Sequence, residues 1–232
     1  MKGMVFIVGA GPGDAELITL KGLKAIEKAD VILYDALVDR KLFELIDCTG
    51  KELIFVGKRR GDGDSEKRQR VINELMLDLC KKGRTVVRLK GGDPGIFGRL
   101  ADEIRFLKRN GIPYEVIPGV SSFNGVASHA GVPLTEKGTS SLTVLSGTEN
   151  FDLNTLINGT FVVMMARENI ERVAERLIEL GVPESRAVIA VENGTLENQR
   201  IVKGTLGDIH EKVRSFTGPT LFIIGDVVSL KP

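Results

Sequence analysis

Residues 86–99, VVRLKGGDPGIFGR, constrain the chain more than any other stretch. Val86, Val87 and Leu89 have the apolar, partly β-branched character of a buried strand. Gly91 and Gly92 follow at once, where the backbone is free to turn and bare enough for a ligand to lie against it. Asp93-Pro94 is a turn pair, and Gly95 and Gly98 keep the loop open before an amphipathic run over 100–108. A strand that ends in Gly-Gly-Asp-Pro, with a helix behind it, places backbone amides and one carboxylate at the carboxyl edge of a sheet. Small molecules bind at that edge in open α/β sheets. A lone Gly-Asp-Pro would be an ordinary strand–helix turn. Four glycines framed by Arg88, Lys90 and Arg99 point to a binding edge instead.

The first half repeats this alternation. Residues 4–8 form a short apolar strand that runs into GAGPGD at 9–14. A dinucleotide fingerprint would need its third glycine where Asp14 stands, and Pro12 removes an amide from the loop. The helix starts only after Thr19, with Leu20, Leu23 and Ile26 on one face, so its N-terminus is not aimed at a pyrophosphate. A nicotinamide-type site is therefore not expected. A strand over 31–34 ends in Asp35, a helix is expected over 36–46, and a strand over 53–56 runs into Gly57, Lys58, Arg59 and Arg60. After the polar loop 62–68 comes a helix over 69–80. The strand 114–117 stops at Pro118-Gly119, and Ser121 and Ser122 open the next helix, where a hydroxyl caps it, meets a ligand, or does both. Asp35 and the basic triplet share a position at strand ends, which favours function over solvated loop charge.

The turn-rich run VPLTEKG at 132–138 reads as the crossing to a second half. Strands are expected there over 142–145, 161–165, 187–191 and 220–224, with helices over 170–180 and 208–213. Hairpin-like segments around Gly194 and over 199–202 make that half mixed rather than purely parallel. The fold class is α/β, with two α/β domains at 1–118 and 119–232.

The chain has 232 residues, 42% hydrophobic and 27% charged, which is the balance of a soluble globular protein. A net charge of +1 gives no global field toward nucleic acid or a membrane, so an anionic ligand must be held by a local basic cluster. With no tryptophan and 5% aromatic residues, base stacking is a poor prospect. Cys48 and Cys80 stand apart, as do His129 and His210, so neither a metal site nor a Cys–His nucleophile is expected. The opening MKGMVFIVGAG is no signal peptide and no apolar run approaches a membrane span, so the expectation is a cytoplasmic protein. What remains is binding, or transfer from a donor that is already activated, where the protein positions the reactants.

KGGDPGIFGR resembles the signature of the tetrapyrrole methylases that use S-adenosylmethionine (SAM), and most of all their uroporphyrinogen-III C-methyltransferase branch. GAGPGDAELITLKGLKAI, QRVIN, IPGVSS, PLTEKG, MMAR, VENGT and IIGDVV are similar to further family motifs, in the family's order and over essentially the whole chain. The resemblance implies two α/β domains with the active site in the cleft between them, in a homodimer. It implies methyl transfer from SAM to C2 and C7 of uroporphyrinogen III, giving precorrin-2 and S-adenosylhomocysteine on the way to sirohaem or cobalamin. Carried over by position, Asp35, Lys58 and Arg99 are catalytic. Pro12, Gly91, Gly92, Asp93, Ile96, Ser121, Ser122, Met165 and Gly194 bind SAM, and Arg59, Asp102 and Lys137 bind the substrate. Either Asp35 or Arg99 handles the proton, and Asp35 is the better base by intrinsic pKa. Several positions depart from the family. Gly95 replaces a phenylalanine, Leu100-Ala101-Asp102 replaces Gly-Gly-Glu, Ser146-Gly147-Thr148-Glu149 replaces Thr-Gly-His, Ala166 replaces a glycine, and Lys137 replaces an arginine. Two rivals remain: a methylase of the same fold acting on a later corrinoid precursor or RNA, and a non-catalytic module that binds SAM or a tetrapyrrole. The near-neutral charge speaks against RNA, KGGDP…FGR against the later corrinoid steps, and Asp35, Lys58 and Arg99 against the non-catalytic module.

Overall fold

Strands covered on both faces read as nearly unbroken apolar runs, and the first half of the chain is built on them. The computed structural model describes residues 3–57, 64–151 and 159–230. Contacts divide the chain into two units, Met1–Ser121 and Ser122–Pro232, so the turn-rich run 132–138 lies inside the second unit instead of between the two.

In the first unit, β1 (Met4–Gly9), β2 (Val31–Tyr34), β3 (Glu52–Phe55), β4 (Thr85–Lys90) and β5 (Tyr114–Ile117) form an all-parallel sheet in the order β3-β2-β4-β1-β5. Side-chain alternation along each strand serves two helical layers. Val8, Ile32, Val87 and Leu89 pack with Ala25 and Ile26 of α1 (Leu20–Glu27) and Leu42 of α2 (Leu42–Leu45). Val5, Ile7, Val31, Leu33 and Val86 pack on the other face with Ile72 and Met76 of α3 (Ser65–Lys81) and Leu107 of α4 (Leu100–Arg109). Thr19 starts α1 as its sequence position predicts, its Oγ1 accepting from the Gly22 N–H at 3.0 Å. Asp64 does the same for α3, accepting from the amides of Glu66 and Lys67, and so starts that helix several residues before 69.

The helix expected over 36–46 is only one turn long. Asp35 and Val38 close a turn through Val38 N–H and Asp35 O at 3.2 Å, and the Asp39 carboxylate takes the Lys41 N–H at 3.0 Å. An aspartate that bonds its own backbone two residues on offers the chain a turn in place of a helix, so helical bonds begin only at Leu42.

In the second unit, α5 (Ser122–His129) precedes a mixed sheet of β6 (Leu142–Ser146), β7 (Thr160–Met164), β8 (Ala187–Glu192), β9 (Arg200–Thr205) and β10 (Thr220–Ile224), ordered β6-β7-β10-β8-β9. β6 and β7 are parallel, and β10 runs antiparallel to both β7 and β8. The hairpin signals near Gly194 and 199–202 correspond to the antiparallel pair β8–β9. Helix α6 (Ile170–Glu179) buries Ile170, Val173, Ala174 and Leu177, the i, i+3, i+4, i+7 stripe of an amphipathic helix, and α7 (Ile209–Lys212) joins it on that face. Val126, Ala127 and Ala130, on and just after α5, cover the opposite face. Among the described residues no helix is long and apolar enough to cross a membrane.

Candidate active site

Because every strand of the first sheet points the same way, the segments after β1, β2, β4 and β5 share one edge. The ends of β1, β4 and β5 approach until only glycine fits. Ala10 N–H donates to Lys90 O at 2.8 Å, and Gly92 N–H donates to Gly11 O at 2.6 Å, with a return bond at 3.3 Å. A Cβ on Gly119 would lie 2.4 Å from Gly92 O, and one on Gly9 would lie 2.6 Å from both Gly92 O and Gly119 N. Asp93 stitches this edge together: Oδ1 accepts from the Gly95 N–H at 2.7 Å and Oδ2 from the Gly119 N–H at 3.0 Å. Asp93→Ala is therefore expected to lower stability by about 2 kcal/mol, since hydrogen bonds to charged groups are worth about 1.5–3. Urea unfolding measures that loss, and calorimetry should show weaker SAM binding alongside it.

Three of the expected SAM contacts have a structural reason of their own. The Asp93 oxygens already serve backbone amides. The space beside Gly91 holds Leu37, whose Cβ would stand 2.7 Å from a Cβ on that glycine, so the room expected there for a ligand is used by the β2–α2 loop. Gly194 makes room for Val126 of α5, whose Cγ1 would be 2.3 Å from a Cβ there. Ser121 differs: its hydroxyl is buried and has no partner among the described residues, so it does not cap α5. A buried hydroxyl without a bond is costly unless a ligand or water completes it. Pro12 lies in the turn after β1, and Ile96 is exposed on the β4–α4 loop at the same edge.

Arg99 and Phe97 are both left-handed, at φ 58° and 51°, in that same loop. The Arg99 guanidinium is committed to neighbours: Nε donates to Asp102 Oδ2 at 3.1 Å, Nη2 to Glu66 Oε1 at 2.6 Å and Nη1 to Ser65 O at 3.2 Å. Burial works against its charge, but the Asp102 and Glu66 carboxylates outweigh it and raise its pKa further. A guanidinium held charged in this way is a poor proton acceptor, and Asp102 is one of its bonded partners. Asp35, just beyond β2, brings a second, partly exposed carboxylate to this edge, and the Arg88 Nη2 forks onto its two oxygens at 2.8 and 2.9 Å.

The basic frame expected from Arg88 and Lys90 is not on the surface. Both alternate with Val87 and Leu89 and face α3 and α4, where they meet Glu103, a residue the sequence reading passed over. The signal was present as the alternation Val86-Arg88-Lys90 on a strand buried on both faces. A charge there needs an acid from a covering helix. Gly9 and Gly119 were also missed, for a reason of distance: their crowding arises between segments remote in sequence.

In the second unit, Met165 follows β7 with φ 56° and is 46% exposed, so it is not a core methionine. Asn193 and Thr195, on either side of Gly194, are left-handed as well, at φ 50° and 72°. β7 and β8 both run antiparallel to β10, so Met165 and Gly194 sit at one edge of that sheet. Non-glycine residues held in this region carry strain of the kind found at functional sites. Two departures from the family touch here: a Cβ on Gly147 would lie 2.5 Å from the Ala166 Cβ. Ser122 opens α5, and Lys137 lies on an exposed turn. Lys58 and Arg59 fall outside the described residues. Burial pushes the Cys80 thiol up to about 11 and the Cys48 thiol upward, so neither is a ready nucleophile. No group of potential metal ligands occurs among the described residues.

Residues 4–210 match the family model of the tetrapyrrole (corrin/porphyrin) methylases. The chain is 43% identical to the uroporphyrinogen-III C-methyltransferase of Methanocaldococcus jannaschii, over 99% of this chain and 98% of that one. It is 38% identical to the siroheme synthase of Methylobacillus flagellatus, of whose length it spans only 50%. Among solved structures it is similar to the uroporphyrin-III C-methyl transferase of Thermus thermophilus complexed with S-adenosylhomocysteine, with a TM-score of 0.84, 36% identity and coverage of 98% of this chain and 100% of that one.

Proposed function

The chain belongs to the tetrapyrrole methylases, and from that membership we propose that it transfers methyl groups from SAM to C2 and C7 of uroporphyrinogen III, giving precorrin-2 and S-adenosylhomocysteine. The observation that carries this reading is the first sheet's edge, where an ionisable Asp35, a tightly packed glycine bed and the unbonded Ser121 hydroxyl lie on adjoining strand ends.

SAM brings an activated methyl on its sulfonium, so the protein's work is binding, orientation and proton removal. Ser121 fits a polar group of the donor because its hydroxyl otherwise stays unbonded in a buried place. Pro12, Gly92 and Ile96 form the surrounding surface in the first unit. Met165, Gly194 and Ser122 are the contacts proposed from the second, with the exposed Met165 thioether suited to an adenine face. Asp93 and Gly91 act chiefly by shaping the edge. Carbon methylation of the macrocycle leaves a proton to be removed, and the Asp35 carboxylate takes it, with Lys58 as the acid–base partner. The carboxylates of the macrocycle are met by Arg59, Lys137 and Arg99, with Asp102 and Glu66 releasing Arg99 to do so. The enzyme is proposed to work as a homodimer in the cytoplasm, without nucleic acid or membrane partners.

The test is anaerobic incubation with SAM and enzymatically generated uroporphyrinogen III, followed by mass and absorbance. The expected product is heavier by two methyl groups and oxidises to a dimethylated isobacteriochlorin. SAM binding without methyl transfer would overturn the acceptor.

A further inference from the structure

Four ionisable side chains meet beneath the edge of the first sheet, and three of them are beyond the reach of any substrate. Arg88 is 2% exposed, Lys90 4% and Glu103 0%, whereas Asp35 keeps 26% of its side-chain surface. Arg88 stands at the centre, with Nη2 on both Asp35 oxygens, Nε on Glu103 Oε1 at 3.1 Å and Nη1 on Leu89 O at 3.2 Å. Lys90 Nζ and Gln69 Nε2 reach the same Glu103 oxygen, at 3.0 and 3.3 Å, and Gln69 also donates to Asn73. Glu103 Oε2 is buried with no partner among the described residues.

Stability does not explain this cluster. A buried ion pair roughly breaks even against well-packed apolar residues, and here one carboxylate oxygen is left unbonded as well. Its geometry does have a consequence at the edge, because Arg88 is shared between one acid that substrate can reach and one that it cannot.

We propose that Arg88, Glu103 and Lys90 are positioning residues for methyl transfer, fixing Asp35 in place and setting how strongly it holds the proton it takes from the macrocycle. The inference rests on the acid–base role proposed for Asp35. Arg88 fixes the plane of the Asp35 carboxylate. Glu103 draws part of the Arg88 charge away from Asp35, and Lys90 limits that draw by neutralising Glu103. Among the described residues the charged groups of the cluster around Asp35 are Arg88, which bonds it directly, and Lys90 from β4 and Glu103 from α4, while α3 adds the uncharged Gln69 and Asn73.

This predicts opposite effects from two buried residues. Glu103→Gln leaves Arg88 to Asp35 and moves the acid limb of kcat down in pH, whereas Lys90→Met moves it up, each by about half a unit or more. The experiment uses the full chain, saturating SAM and uroporphyrinogen III under anaerobic conditions, with SAM affinity by calorimetry as the check on fold. Limbs that coincide with wild type, or that move together, overturn the proposal, because a merely structural role lowers Tm without separating them. Should either variant fail to fold, Arg88→Lys decides: it keeps the charge but loses the fork, so kcat falls about tenfold or more at unchanged SAM affinity. An unchanged kcat overturns the proposal. Asp35→Asn separates the two ideas. If the acid limb survives that substitution, the acid–base reading of Asp35 fails. If it vanishes there yet stays fixed in Glu103→Gln and Lys90→Met, the positioning role alone fails.

Discussion

Asp35→Asn slows methyl transfer by about a hundred- to ten-thousandfold, the range lost when a positioned acid–base group is removed, while SAM affinity stays within about twofold. The amide has the shape of the carboxylate and still accepts one bond from Arg88, so the end of β2 keeps its course. It has no oxygen able to take a proton near neutral pH. The substitution also leaves buried Arg88 and Lys90 facing Glu103 alone, so a fall in stability of about 1–3 kcal/mol accompanies the kinetic loss. Single-turnover kinetics and calorimetry on the same preparation separate the two. A rate within tenfold of wild type would remove Asp35 from the chemistry.

Gly119→Ala unfolds the edge from a different direction. Its added Cβ would meet Gly92 O at 2.4 Å and the backbone of Gly9 at 2.8 Å, and neither can swing aside as a side chain would. The strain exceeds the usual overpacking cost of about 1–3 kcal/mol, because relief requires parting β4 or β1 from β5. Parting them also breaks the Gly119–Asp93 bond, so SAM binding should fall below detection and the urea midpoint should drop sharply. Gly111→Ala is the control. That glycine has φ 63° with open space around it, so alanine there costs only about 1–2 kcal/mol of backbone strain. Equal effects of the two substitutions would show that the crowding at Gly119 is absorbed.

The strands were legible because each is a short apolar run closed by glycine, proline or aspartate, and β2, β5 and β10 fall within the stretches the pattern marks. The segment 36–46 was not, because its composition suits a helix while Asp39 takes a backbone amide for a turn. Among the proposed site residues, Asp35, Ser121 and Met165 stand out from local pattern and family motif, and the structure adds that Asp35 and Met165 are at least partly exposed and that the Ser121 hydroxyl is unbonded among the described residues. Asp93, Gly91 and Gly194 could be located but not explained. Their partners Gly119, Leu37 and Val126 come from other loops and helices, and no sequence window contains both members of such a pair. In the sequence Arg88 and Lys90 only frame a glycine-rich motif, where charge suggests a ligand. Only the helix bearing Glu103 shows that they point inward.

The strand order β3-β2-β4-β1-β5 also bears on how the chain is made. β1 leaves the ribosome well before both of its neighbours: Met4 lies beside Thr85, and Val5 beside Tyr114. At about 5–20 residues per second, β1 waits on the order of 4–16 s for β4 to be synthesised. During that interval an apolar strand has both of its hydrogen-bonding edges open. Within this sheet β1 is therefore the strand most in need of a chaperone, and slowing translation between β1 and residue 85 should lower the soluble yield more than slowing it after residue 117.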